Sequence, residues 1–228
     1  MKLFLPALAT GLLACSAAIA QTTTSCATPG NDNTFLNIQT IRLWAGDAPQ
    51  ATGSTCDDIP TLTILAPRTG TANGSAVIVL PGGSYRTLAA DLEGREVADW
   101  FAARGFRAFV LSYRLSSHGY ILPVPLLDAR RAVQLVRSRA RDYQIDPNRI
   151  VMIGFSAGGH LAGLAGTQFV AGKPDADDPT DRVSSRPDYL VLGYAWLGAV
   201  SMDTSHLNYC KLYNLMDKCE SLTAAYTP

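Results

Sequence analysis

The chain has 228 residues, 47% hydrophobic and 17% charged, which suffices to bury the core of one globular domain and leaves no need for a second. Nineteen Lys and Arg balance nineteen Asp and Glu, and no basic run interleaved with aromatics occurs. That balance excludes the electrostatic footprint of a nucleic-acid or anionic-membrane binder and points to a small or neutral substrate.

Met1 to Ala20 carries one positive charge at Lys2, an apolar stretch through Ala14 and the small-residue exit Ala18-Ile19-Ala20, the layout of a signal peptide cleaved before Gln21. The segment is too short and too weakly flanked to span a bilayer, so the expectation is a secreted or periplasmic protein. A rival reading takes Leu12-Leu13-Ala14-Cys15 as resembling a bacterial lipobox, with Cys15 as a lipid anchor. Residues 21–40 read as a polar, mobile leader, and 41–228 as the folded domain. Cys26, Cys56, Cys210 and Cys219 remain in the mature chain, an even number that favours two disulfides over a metal site in an exported protein. Of three connectivities, proximity in sequence favours Cys26 with Cys56 and Cys210 with Cys219.

Alternation predicts strands over Ile41–Trp44 and Thr61–Leu65, both expected at the sheet edge, with loop between them. Asn73-Gly74-Ser75 reads as a hairpin turn and is formally an N-glycosylation acceptor. Ala76–Leu80 is a short continuous apolar run, suited to a strand covered on both faces, and Pro81-Gly82-Gly83-Ser84-Tyr85 follows at its C-terminal end. Helical spacing over Leu92–Ala103 sets Val97, Trp100 and Phe101 on one face. Phe106–Tyr113 returns to strand, and Leu126–Tyr143 is a long helix with Ala129, Ala132, Val133, Val136 and Ala140 inward. Asp175–Asp181 lies in a solvated acidic loop, and Tyr189–Ala195 reads as a further buried strand. Strands and helices alternating at this spacing specify an α/β fold, a doubly wound, mostly parallel sheet.

The stretch that carries chemistry is Ile150–His160. An apolar strand meets Gly154-Phe155-Ser156-Ala157-Gly158 and then small residues of helical character, the shape of a nucleophile elbow. Ser156 takes the strained tip, and Gly154 and Gly158 occupy positions too crowded for a side chain. Acyl transfer through serine also needs backbone donors for the oxyanion, and the N–H groups of Ala157 and of Gly82, Gly83 or Ser84 are placed to supply them. No cofactor or metal is called for. Ser84, Tyr85 and Glu93 stand beside that loop as candidate substrate contacts, though Glu93 reads equally as an acid favoured at a helix N-terminus.

Taken together, Pro81-Gly82-Gly83-Ser84-Tyr85, Glu93-Gly94, Asp128-Ala129-Arg130-Arg131-Ala132 and Gly154-Phe155-Ser156-Ala157-Gly158-Gly159-His160 resemble the acetyl-esterase and acetylxylan-esterase branch of the α/β-hydrolase superfamily. The resemblance implies a serine carboxylesterase that hydrolyses short acyl esters, typically acetyl groups on plant polysaccharide or oligosaccharide. In that superfamily the triad acid follows the next-but-one strand after the elbow, and the histidine follows the last. This chain reaches Pro228 before two further strands, so the sequence reads as C-terminally incomplete, with the acid and histidine beyond it. Among its own histidines, His118 precedes the elbow, His160 is held on the elbow helix, and His206 alone is in the right chain order as a base. Two alternatives stay open: a serine peptidase of prolyl-oligopeptidase type, and an inactive α/β-hydrolase-like binding module.

Overall fold

A computed structural model describes Cys26, residues 38–195 and Leu197. Six strands form one sheet: β1 (Gln39–Arg42), β2 (Thr61–Leu65), β3 (Ala76–Leu80), β4 (Arg107–Ser112), β5 (Ile150–Phe155) and β6 (Tyr189–Gly193), in the order β1-β2-β4-β3-β5-β6. Strands β4, β3, β5 and β6 pair in parallel, while β2 runs antiparallel to both β1 and β4. This is the doubly wound, mostly parallel sheet expected from the alternation. The chain steps from β3 outward to β4 and then returns across β3 to β5. That reversal makes the C-terminal ends of β3 and β5 the topological switch point, the place where open α/β sheets receive ligands.

Both faces are covered because the strand residues alternate. Ala76, Ile78 and Leu80 of β3, with Phe109, Leu111 and Met152, pack beneath α2 (Val124–Ser138) and α4 (Ala157–Thr167). Val77, Val79, Ala108, Val110 and Ile153 face the other way, toward α1 (Glu96–Ala102). Among the described residues no helix is long and apolar enough to cross a membrane.

Several expectations need correction. Strand β2 is not an edge: all five of its residues are buried between β1 and β4, and the hydroxyls of Thr40 and Thr63 meet at 3.1 Å. Asn73-Gly74-Ser75 is no hairpin turn, since β4 lies between β2 and β3. Its Asn73 amide accepts from the Ser75 N–H and donates to the Arg104 carbonyl. A π-helical turn over Asp91–Arg95 precedes α1, whose inward face is Ala98 and Ala102 with the expected Val97 and Phe101 half-buried against the same core. Trp100 alone of the expected face is 52% exposed, with the Arg104 guanidinium 3.6 Å above its ring. The long helix breaks at Arg139, and a separate turn, α3 (Ala140–Tyr143), follows. Strand β6, expected to be buried, has Tyr189, Leu190, Val191 and Leu192 38–60% exposed, because among the described residues it pairs with β5 alone. The two strands expected to be missing would follow β6, outside the described residues.

The loop of residues 172–187 is less solvated than its acidic composition suggests. Arg131, Gln134 and Arg137, at helical spacing of three, line one stripe of α2. Arg131 binds Asp178 and Asp181, Gln134 donates to the Val183 carbonyl, and Arg137 bonds the Ser184 carbonyl and Asp188.

At the exit of β4, Arg114 and Asp128 form an ion pair in which both side chains are at most 1% exposed. Asp128 accepts from the Arg114 Nε, Nη2 and backbone N–H, and Nη1 donates to the Pro49 carbonyl at 2.7 Å. Burial pushes the Asp128 carboxyl up, to about 6, against the pull of the guanidinium and the backbone N–H. The pair fastens the end of β4 to α2.

The elbow rests on a steric fit. A Cβ built on Gly154 would land on the Gly158 carbonyl, and one on Gly158 would land on the Leu80 carbonyl, with the Pro81 carbonyl 2.5 Å away.

Two stability changes follow. Asp128→Asn leaves a buried guanidinium without its counter-charge and is expected to cost about 3–5 kcal/mol in urea unfolding, whereas the double replacement Arg114→Met with Asp128→Leu should recover most of the loss. Gly158→Ala forces a methyl onto backbone and is expected to cost about 3 kcal/mol, a fall in Tm of roughly 6–12 °C by calorimetry. An unchanged Tm would mean that helix and strand do not meet as described.

Candidate active site

Ser156 lies between β5 and α4 with φ 49° and ψ −117°, a conformation that side chains rarely adopt. The turn is this sharp because α4 must start on the sheet immediately after β5, and the Ser156 N–H is held by the Gly193 carbonyl at 3.0 Å. The hydroxyl makes no capping bond to the helix it precedes. Ser156 is half-buried and stands just past the C-terminal end of β5, at the switch point of the sheet.

The loop after β3 reaches the same place. A Cβ added to Gly82 would come within 3.0 Å of the Ser156 Cβ and 2.7 Å of the Phe155 carbonyl, so the loop backbone passes directly against the elbow. Gly83 has φ 133°, and Ser84 and Tyr85 follow at 55° and 57°, three successive residues in the left-handed half of conformational space. Only glycine fits at 83, where a Cβ would overlap the Thr87 carbonyl. Neither the Gly83 nor the Ala157 N–H donates a hydrogen bond among the described residues. The serine in its strained turn is thus followed by one unused donor, Ala157, and is packed against a loop that carries another.

Other residues singled out from the sequence have different roles. The Gly82 N–H is not an oxyanion donor in this arrangement, because it donates to Glu93 Oε2 at 2.8 Å. Tyr85 is no substrate contact: it is 1% exposed, and its hydroxyl meets His160 Nδ1 at 2.8 Å inside the core. The left-handed backbone turns that side chain beneath the loop, edge-on to Tyr113 and His160. Ser84 stays on the exposed side. His160, itself 1% exposed, is a packing residue. His118 sits 3.4 Å from Asp57 in a separate small cleft that also includes Leu88 and the Cys26–Cys56 disulfide. His206, Cys210, Cys219 and Cys15 lie outside the described residues.

Two tyrosines at the site were not foreseen. Tyr113 donates from a buried hydroxyl to the Pro81 carbonyl at 2.7 Å, and Tyr194, just past β6, donates to Glu93 Oε1. Burial, with the nearby Glu93 charge, pushes the Tyr113 hydroxyl far up; the hydrogen bond to Glu93, with slight burial, raises that of Tyr194. Both therefore remain donors at neutral pH. The position of Tyr113 at the C-terminal end of a strand flanking β3 was the available signal; Tyr194 had none in the local pattern.

The chain is similar to an acetylxylan esterase of Xylanibacter ruminicola, 37% identical over 131 residues that make up 58% of this chain and 24% of that protein. It is 38% identical over 120 residues to endo-1,4-beta-xylanase B of Butyrivibrio fibrisolvens, 52% of this chain and 19% of that protein. The matches thus span about a quarter or less of these curated relatives. The crystal structure of an acetyl ester-xyloside bifunctional hydrolase from Caldicellulosiruptor lactoaceticus superposes with a TM-score of 0.69 at 34% identity, covering 83% of this chain and 70% of that one. The BD-FAE family model matches residues 62–186, over half the chain, from β2 through the glycine loop after β3 and the turn at Ser156. Fold, site geometry and sequence together place the chain in the BD-FAE family of α/β-hydrolases.

Proposed function

We propose that this chain is the core of an exported serine carboxylesterase acting on short acyl esters, chiefly acetyl groups carried by plant polysaccharide or its oligosaccharides. One observation carries the reading: Ser156, in its strained turn, lies against Gly82 of the glycine loop at the topological switch point, and the N–H groups of the residues that follow each, Ala157 and Gly83, donate no bond among the described residues. The acetylxylan esterase and the acetyl ester-xyloside hydrolase among its relatives support the substrate class.

Ser156 Oγ attacks the ester carbonyl carbon while the C=O electron pair moves onto oxygen, and the Gly83 and Ala157 N–H groups receive that charge. Collapse breaks the carbonyl carbon–oxygen bond to the sugar, whose alkoxide takes up the proton given up by Ser156, and leaves an acetyl-serine; water then attacks that ester, releasing acetate and returning a proton to Ser156 Oγ. The proton leaving Ser156 needs an acceptor. His160 is buried with its Nδ1 bonded to Tyr85, and His118 lies in the cleft lined by Asp57, Leu88 and the Cys26–Cys56 disulfide, which no elbow residue lines, so neither takes that role. His206, which follows Asp203 and comes after the elbow in chain order, is the candidate that this sequence offers. Because the described residues hold no acceptor for that proton, a second reading stands beside the first: a module that binds acylated carbohydrate without turning it over.

Labelling with a fluorophosphonate and hydrolysis of 4-nitrophenyl acetate separate the two. The esterase reading expects labelling of Ser156 and release of acetate from acetylated xylan, with Ser156→Ala lowering kcat by at least about 10⁴-fold. A chain that takes no label and releases no acetate, yet binds acetylated oligosaccharide, would establish the binding module. Full turnover in His206→Ala would put the base elsewhere.

A further inference from the structure

Glu93 lies on the π-helical turn before α1, and its two carboxylate oxygens reach different parts of the site. Oε2 accepts from the Gly82 N–H at 2.8 Å, and Oε1 accepts from the Tyr194 hydroxyl beyond β6. The Tyr194 ring also packs on Phe155, the residue before Ser156, with centroids 5.8 Å apart. One carboxylate thus joins the oxyanion loop, the end of β6 and, through Tyr194, the elbow.

The Gly82 N–H shares its peptide group with the Pro81 carbonyl, which accepts from Tyr113. A trans peptide is planar, so a donor at one end and an acceptor at the other fix how that plane is rotated. The next peptide is held from one side only: the Gly82 carbonyl accepts from the Ala89 N–H at 2.9 Å, which turns its own N–H, that of Gly83, away from Ala89. The Ala89 carbonyl in turn accepts from the Glu93 N–H at 3.0 Å. Gly82 is buried, so without the carboxylate its N–H would have no partner and the plane would rotate to find one, carrying the Gly83 N–H with it.

We propose that Glu93 is a positioning residue for the oxyanion loop, holding the Pro81–Gly82 peptide by its N–H so that the Gly83 N–H is aimed at the oxygen bound at Ser156. This role rests on the esterase reading above. Glu93 touches no substrate; it acts through Gly82.

The test compares Glu93→Ala and Glu93→Gln with the wild-type chain on 4-nitrophenyl acetate, with kcat expressed per fluorophosphonate-labelled serine so that misfolded protein is not counted, and with Ser156→Ala, which takes no label, setting the background rate per mole of chain. Glu93→Ala is expected to lower kcat by about 10- to 100-fold, less than outright loss of an oxyanion donor, with KM within about threefold. Glu93→Gln keeps an amide oxygen to accept from Gly82 and should stay within about fivefold of wild type. Wild-type kcat in Glu93→Ala, a raised KM with kcat unchanged, or equal losses in the Ala and Gln variants would each overturn the positioning role. A wild-type chain without Ser156-dependent turnover would instead remove the esterase reading, and the positioning role with it.

Discussion

The arrangement depends on how closely the first turn of α4 approaches the end of β3. Gly154 and Gly158 leave no space for a side chain between the elbow strand, its helix and the Leu80 and Pro81 carbonyls. That approach makes the turn at Ser156 left-handed, and a backbone of this kind costs on the order of 1–3 kcal/mol. It persists because β5 is paired on both sides and because Ser156 is bonded through its own N–H to Gly193 and through its carbonyl to His160. The same contact brings Gly82 against Ser156. A single packing constraint therefore lifts the serine to the end of the sheet and sets the glycine loop beside it.

Around this centre the sheet ends are tied by buried polar groups rather than by apolar packing alone. Arg114 and Asp128 close the exit of β4, and Trp44 lies between the Arg114 and Arg131 guanidiniums, 5.8 and 5.5 Å from its ring. Tyr120 stacks on Arg114 from another side and bonds Asp58. Such a network costs desolvation and returns orientation: guanidinium and carboxylate groups match in few geometries, so β4, α2 and the segment after β1 meet in one register.

Much of this was legible in the residues. Continuous apolar runs at Ala76–Leu80 and Ile150–Ile153 marked β3 and β5 because both faces of a central parallel strand must be covered. The glycines around Ser156 announced the elbow because crowding permits nothing else there. What escaped was whatever depended on partners far along the chain. Thr61 and Thr63 read as one face of an edge strand, yet neighbours on both sides bury them, one of the hydroxyls meeting Thr40. Tyr85 looked like a loop aromatic facing a ligand until its left-handed backbone turned it inward to His160. Glu93 read as a helix-terminal acid, because its partner Tyr194 stands 101 positions away and no local periodicity joins them.

The stripe of Arg131, Gln134 and Arg137 changes what the connection from α4 to β6 is. Held along its length by one face of α2 and anchored where Asp188 accepts from the Ile150 N–H, that segment shares its bonds with the helix and with the start of the elbow strand. It therefore enters and leaves the ordered state with them, so the cooperative unit that carries the serine reaches from the buried sheet to the outer surface of the domain.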